Sequence, residues 1–196
     1  SPYVRERLTG IATGVIHDID NPISEECFHI PRQERTGVVF SAAAICPRKN
    51  TLALVEAVAL LVGRGVDVEL RLAGPVTESG YGQRVHEAIR EHRLDRRIIL
   101  LGQIGTRQVM EELSQAAVFA LVSLEENSPM GIEEAMAAGV PVLTSNRCGM
   151  PYMVRDGESG FLVSPMDVHD IAGRLEQLLC DQSLRQSMGE HGRKIA

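Results

Sequence analysis

From residue 38 onward one pattern recurs: a short apolar run, in most cases almost continuous, a turn, and then a stretch with helical periodicity. The runs are Val38–Ser41, Val68–Ala73, Ile98–Leu101, Val118–Val122, Val140–Thr144 and Phe161–Val163. A strand with one wet face alternates apolar and polar residues, whereas a strand covered on both faces reads as a continuous apolar run. Between the runs lie helical stretches at Thr51–Arg64, Gly82–Glu91, Thr106–Gln115, Ile132–Ala138 and Asp167–Leu179. Asn50 or Thr51 is placed to cap the first of these and Asp167 the last. Strands buried on both faces and alternating with helices predict an α/β fold, a doubly wound, Rossmann-like parallel sheet with right-handed crossovers. With 196 residues the chain is long enough for one sizeable core.

The first 37 residues do not share this rhythm. Gly10, Gly14, Asn21-Pro22 and Pro31 punctuate them, and their only apolar run is Val15-Ile16. Residues 1–37 therefore read as a linker or the tail of a preceding domain, and residues 38–196 as the folded domain. Helical pattern is still running over Ser183–Lys194 when the sequence stops, so both ends read as cut.

Composition removes several functions. The net charge of −6 lacks the basic footprint of a nonspecific nucleic-acid binder. Aromatic residues make up 4% with no Trp, which argues against a stacking platform for bases or sugars. The four cysteines (Cys27, Cys46, Cys148, Cys180) form no CxxC pair, and the histidines show no ligand spacing. Reduced thiols in a cytoplasmic protein without a structural metal are expected. The polar N-terminus is unlike a signal peptide, and Leu52–Val62 is too short to span a bilayer and carries Glu56.

In a doubly wound sheet, ligands bind at the carboxyl ends of the strands, where helix N-termini offer unpaired amides. The run Gly80-Tyr81-Gly82 begins like a dinucleotide turn, but its third position is Val85 and no acidic residue ends the next strand. Neither GxxxxGK[ST] nor GxSxG is present. Two other turns carry more chemistry. Cys46-Pro47-Arg48-Lys49-Asn50-Thr51 sets two adjacent cations before a helix, suited to clamping a diphosphate or else merely solvated. Glu125-Glu126-Asn127-Ser128-Pro129-Met130-Gly131-Ile132-Glu133-Glu134 sets carboxylates on both sides of a Pro- and Gly-containing loop. Such a loop delivers amides to an anion while its carboxylates accept hydrogen bonds from hydroxyls, which suits a sugar nucleotide. The plainer reading is that Glu133 and Glu134 complement a helix dipole.

That segment continues Ala135-Met136-Ala137-Ala138-Gly139-Val140-Pro141-Val142, and here the chain resembles the retaining GT-B glycosyltransferases of family four. Their hallmark is Glu-x7-Glu followed by such an Ala-Met-Ala-x-Gly-x-Pro-Val run. Two registers fit the spacing, Glu125/Glu133 and Glu126/Glu134, and the downstream Glu-Ala-Met-Ala selects Glu126/Glu134. The resemblance extends to Val15-Ile16-His17-Asp18-Ile19-Asp20 with Phe28 as the interdomain hinge, and to Pro47-Arg48-Lys49-Asn50 as the phosphate-binding segment. It also covers the strand–Gly turns at Leu72-Ala73-Gly74 and Leu100-Leu101-Gly102, and Asp156–Val163 before the last strand.

The resemblance implies the C-terminal, donor-binding half of such an enzyme, with a UDP-, GDP- or ADP-sugar as donor and no cofactor or metal. Glu126 would contact the donor sugar, Glu134 the ribose and Lys49 the phosphates, with Arg48 and Asn127 beside them. Amides from Ser128 through Pro129, Met130 and Gly131 to Ile132 would face the diphosphate, and Gly74 and Ile104 would border the nucleotide. The acceptor (saccharide, lipid or small molecule) would be held by the absent N-terminal domain, through which peripheral membrane association stays open. An isolated half would then transfer sugar poorly. Two departures stand out. Ala44 occupies the position of an Arg common in the family, for which Arg48 is the candidate replacement, and Tyr152 stands where a Glu is usual. They keep open a degenerate, noncatalytic module as an alternative; an epimerase of the same architecture fits the Ala-Met-Ala-Ala-Gly-Val-Pro run less well.

Overall fold

The computed structural model describes every residue from 1 to 196 except Asp18 and Asp20. Six strands form one sheet: β1 (Val38–Ala42), β2 (Glu69–Ala73), β3 (Ile98–Gly102), β4 (Val118–Leu121), β5 (Val142–Ser145) and β6 (Gly160–Val163). Their order is β3-β2-β1-β4-β5-β6 and every pairing is parallel. The helices are α1 (Pro2–Leu8), α2 (Thr51–Gly63), α3 (Ser79–Glu91), α4 (Thr106–Gln115), α5 (Met130–Ala137), α6 (Val168–Cys180) and α7 (Gln182–Ile195). None is long and apolar enough to cross a membrane.

The central strands β1, β4 and β5 are buried on both faces, as their continuous apolar runs require, whereas β2 alternates buried Leu70 and Leu72 with half-buried Glu69 and Arg71. Alternate residues of each strand go to opposite sides. Val39, Leu70, Val118 and Ala120 pack with Leu54, Val58, Leu61, Val85, Ile171 and Leu175 from α2, α3 and α6. Phe40, Phe119, Leu121 and Val142 pack with Leu113, Ile132 and Met136 from α4 and α5. The Phe40 and Phe119 rings meet edge to face at 6.0 Å.

Several ends differ from the sequence expectation for identifiable reasons. Val140 lies outside β5 because it finishes α5 instead. Its amide donates to Ala135 O (2.9 Å) and that of Gly139 to Met136 O (2.9 Å), with Gly139 at φ +71°, a Schellman ending. Asp167 caps α6, accepting from the His169 and Asp170 amides at 3.0 Å each. Asn50 precedes α2 but makes no capping bond with its side chain. It sits in the left-handed region at φ +56°, and its amide nitrogen donates to Pro165 O (2.7 Å) and Val122 O (3.3 Å), stitching the β1–α2 loop to the ends of β4 and β6. Helix α3 begins at Ser79, so Gly80-Tyr81-Gly82 is inside a helix rather than a strand-to-helix turn.

The stretch before β1 contains more structure than its punctuation suggests. Besides α1, a 3-10 turn spans Glu25–His29, and Cys27 and Ile30 are buried in the core on the α5 side. Arg32 donates to Leu113 O, Ser114 O and Ala116 O, covering the carbonyl end of α4. Glu34 accepts two bonds from Arg185 (2.7 and 3.0 Å), whose guanidinium also reaches Leu178 O and Leu179 O at the end of α6. Of the hinge stretch Val15–Asp20, Asp18 and Asp20 lie outside the described residues, while Val15 and Ile19 are exposed.

Candidate functional site

The strand order reverses between β1 and β4, and in open parallel sheets the ligand crevice opens at the carboxyl ends of such a pair. The two loops leaving these strands are the ones the sequence marks as rich in chemistry. Lys49, in the 3-10 turn Pro47–Lys49, and Glu126, in the β4–α5 loop, form an ion pair through Nζ and Oε1. Arg48 Nη1 reaches the same carboxylate oxygen at 3.0 Å and Glu125 O at 3.0 Å. The Lys49 and Glu126 side chains are 15% and 11% exposed, against 51% for Arg48. A mostly buried cation and carboxylate thus meet beside a more open guanidinium, so charge is concentrated where water is scarce. A backbone bond from Leu124 N to Arg48 O (2.8 Å) ties the loops together.

Of the two possible registers, Glu126 is the carboxylate that meets the cations. Glu125 is exposed, and Glu133 accepts from Ser128 Oγ at 3.3 Å. Arg48 is the second cation at this carboxylate, and Ala44 carries no charge.

Helix α5 starts beside this cluster with Pro129 at its N-cap and no side-chain cap. Its first-turn amides therefore carry the helix's partial positive charge toward the crevice. Not every amide of the expected span Ser128–Ile132 is free to donate. Pro129 has no N–H, and the Ile132 amide is spent on Pro129 O at 3.0 Å, its side chain buried beneath. Among the described residues, the amides of Ser128, Met130 and Gly131 are the donors of this span that no backbone carbonyl takes up. The Met130 side chain is exposed, and Asn127 is exposed with its carbonyl facing Ser1 Oγ at 3.4 Å.

Two glycines allow the crevice its shape. Gly74, at the end of β2, has φ +140°, and a Cβ there would lie 2.1 Å from Ala43 O. Its amide donates to Gly102 O at 2.7 Å, joining the expected strand–Gly turns. Gly149, after β5, donates to Glu126 O at 2.8 Å, and a Cβ there would lie 1.7 Å from Asn127 O. Its contact with the Glu126 loop was not legible in sequence; the only local signal is the Gly149-Met150-Pro151 turn. Tyr152, next in that turn, is exposed and donates its hydroxyl to Glu6 Oε2 of α1 at 2.5 Å.

Ile104 is half-buried against the core on the α5 side, in the same cluster as Phe28 and Ala43. Glu134 is half-buried, and burial alone pushes its carboxyl above the ordinary carboxylate range, with no donor or cation offsetting it among the described residues. A raised folded-state pKa means that the folded protein holds the proton more tightly than the unfolded chain does. The resulting penalty is absent at pH below the ordinary carboxylate range and fully present above the raised value. Glu134→Gln is therefore expected to unfold at higher urea than wild type at pH 7, with the difference shrinking as pH falls toward 4. An advantage independent of pH would contradict this assignment.

Among the described residues no group of three or more His, Cys, Asp or Glu is arranged to hold a metal ion.

The glycosyl transferases group 1 family matches residues 23–195. The chain is 28% identical over 193 residues to a D-inositol 3-phosphate glycosyltransferase of Corynebacterium glutamicum, covering 94% of this chain and 46% of that protein. It is 33% identical over 158 residues to the lipopolysaccharide core biosynthesis glycosyltransferase LpsE of Rhizobium meliloti, covering 79% and 43%. The chain thus spans about half the length of the curated relatives it matches. In fold it is similar to Anabaena HepE, solved in complex with UDP-glucose, with a TM-score of 0.76 at 23% identity, covering 82% of this chain and 43% of that one.

Proposed function

The chain belongs to the glycosyl transferases group 1 family, and from that premise we propose that its crevice binds a nucleoside diphosphate sugar for retaining transfer to an acceptor. The observation that carries the proposal is the convergence of Lys49, Arg48 and Glu126 at the β1/β4 switch point, beside the uncapped start of α5. Lys49 and Arg48 hold the diphosphate as a point charge and a planar fork respectively. The amides of Met130 and Gly131 add donors from the helix terminus. Glu126 accepts hydrogen bonds from sugar hydroxyls, and Glu134 accepts from the ribose, with Gly74 and Ile104 beside the base. When the bond between the anomeric carbon and the diphosphate oxygen breaks, negative charge grows on the departing diphosphate. Cations already fixed in a poorly hydrated site stabilise it without reorganising. The acceptor oxygen forms the new bond to the anomeric carbon, and its proton passes to the departing diphosphate. In this reading the acceptor is held by another part of the protein, and the enzyme works in the cytoplasm.

The relatives named for sugar transfer support the reaction class, and the UDP-glucose complex of HepE makes a uridine nucleotide the first to try. Calorimetric titration with UDP, GDP, ADP and their sugar conjugates tests the proposal. Saturable binding of one nucleotide family is expected, weakened about tenfold in Lys49→Ala, as befits one lost charge-assisted contact. A folded chain that binds none of the three families would sink the reading.

A further inference from the structure

Glu126 is already engaged before any donor arrives. Its Oε1 holds both Lys49 and Arg48, the two cations assigned above to the diphosphate, while its side chain is only 11% exposed. A carboxylate and a phosphate oxygen ask the same of a guanidinium and an ammonium, and one set of donors does not serve both fully.

We propose that Glu126 is a specificity-determining residue that acts by exchange: in the empty site it is the counter-anion of Lys49 and Arg48, and a ligand must displace it to bind. This deepens the donor-site reading and rests on it. Bringing a diphosphate to the cations frees the carboxylate, which is then left in a poorly hydrated place without its counter-charges. Leaving a charge there unpaired is costly. A ligand that brings only phosphate oxygens bears that whole cost. A ligand that also carries hydroxyl groups beside its diphosphate offers the displaced carboxylate new donors and recovers much of it. The site thereby selects sugar-bearing nucleotides over bare nucleotides and over inorganic anions, which share the same phosphate chemistry. Gly149 N–H holds the Glu126 carbonyl (2.8 Å), so the exchange turns the side chain about a fixed backbone.

The test uses the full chain and inorganic diphosphate, a probe independent of base and sugar. Glu126→Gln keeps the shape and removes the competing charge, and it should bind diphosphate about tenfold more tightly than wild type, the scale of one partly buried ion pair. That gain should vanish when the substitution is made in a Lys49→Ala, Arg48→Ala background, because no cations then remain to be released. The same Glu126→Gln protein should show a smaller ratio of affinity for a sugar nucleotide over its bare nucleotide.

Diphosphate binding by Glu126→Gln that is unchanged, weaker or undetectable, in a protein whose unfolding transition matches wild type, would overturn the exchange. So would a gain that persists without the two cations. Wild type that binds a sugar nucleotide while Glu126→Gln gains nothing removes the exchange and leaves the donor reading standing. A tenfold diphosphate gain in a chain that binds no nucleotide leaves the competition between Glu126 and phosphate standing, and overturns the donor reading together with the selection of sugar nucleotides.

Discussion

Gly149→Ala is expected to destabilise the domain by about 3 kcal/mol and to disable the crevice together with it. The backbone at Gly149 is helical (φ −80°, ψ −16°), a conformation alanine adopts without strain. The penalty is steric. A Cβ would sit 1.7 Å from Asn127 O, 2.5 Å from its carbonyl carbon and 3.1 Å from its Cα. All three atoms are backbone, so no rotamer change relieves the contact, and the two loops must separate. Separation also strains the bond from Gly149 N to Glu126 O. Moving Glu126 by about 1 Å is enough to cost on the order of a hundredfold in any reaction that depends on its placement. Urea unfolding measures the first effect, and titration with a sugar nucleotide, on protein held well below its transition, shows whether the crevice still binds. A loss under about 1 kcal/mol with binding intact would show that the Asn127 loop yields freely, and the account of Gly149 would fall.

Phe119→Ala carries the largest stability loss expected of a single residue near the site, about 4 kcal/mol. Phe119 lies in β4 and is 1% exposed. Its ring meets Phe40 edge to face at 6.0 Å and supports α5 from below, since a Cβ on Gly131 would lie 3.1 Å from Phe119 Cζ. Removing the ring leaves a cavity under the first turn of α5, where the amides of Met130 and Gly131 originate. The transfer term and the cavity term add. Phe119→Leu, which refills most of that space, should lose far less. The pair separates packing from mere substitution: if both variants unfold at the same urea concentration, the ring is not what supports the helix.

The sheet was legible because its central strands are buried on both faces and read as short apolar runs bounded by turns. Val38–Ser41 and Val118–Val122, the pair that frames the crevice, differ from the observed β1 and β4 by one residue at an end. Lys49 and Glu126 were legible through a motif, although 77 residues separate them, and only the fold shows them sharing one ion pair. Less was visible where structure depends on distant backbone. The Glu25–His29 turn has no periodic pattern to announce it, and Cys27 is buried by what α5 brings to it. Asn50 looks in sequence like a helix cap, since its type and place favour that. Its amide instead spans to Val122 O and Pro165 O, two carbonyls that no local rule connects to it. Gly149 escaped for the same reason: a close approach of two backbones leaves no trace in the periodicity of either.

The bonds that join the crevice loops, Leu124 N to Arg48 O and Gly149 N to Glu126 O, run from backbone to backbone. Apart from the need for glycine at position 149, they do not depend on which side chains the loops carry. Exposed positions such as Glu125, Asn127 and Met130 are therefore free to drift over generations without unmaking the frame that holds Lys49 and Glu126. The frame thus rests on a few glycines and core rings, and the rim around it can be altered one substitution at a time without touching them.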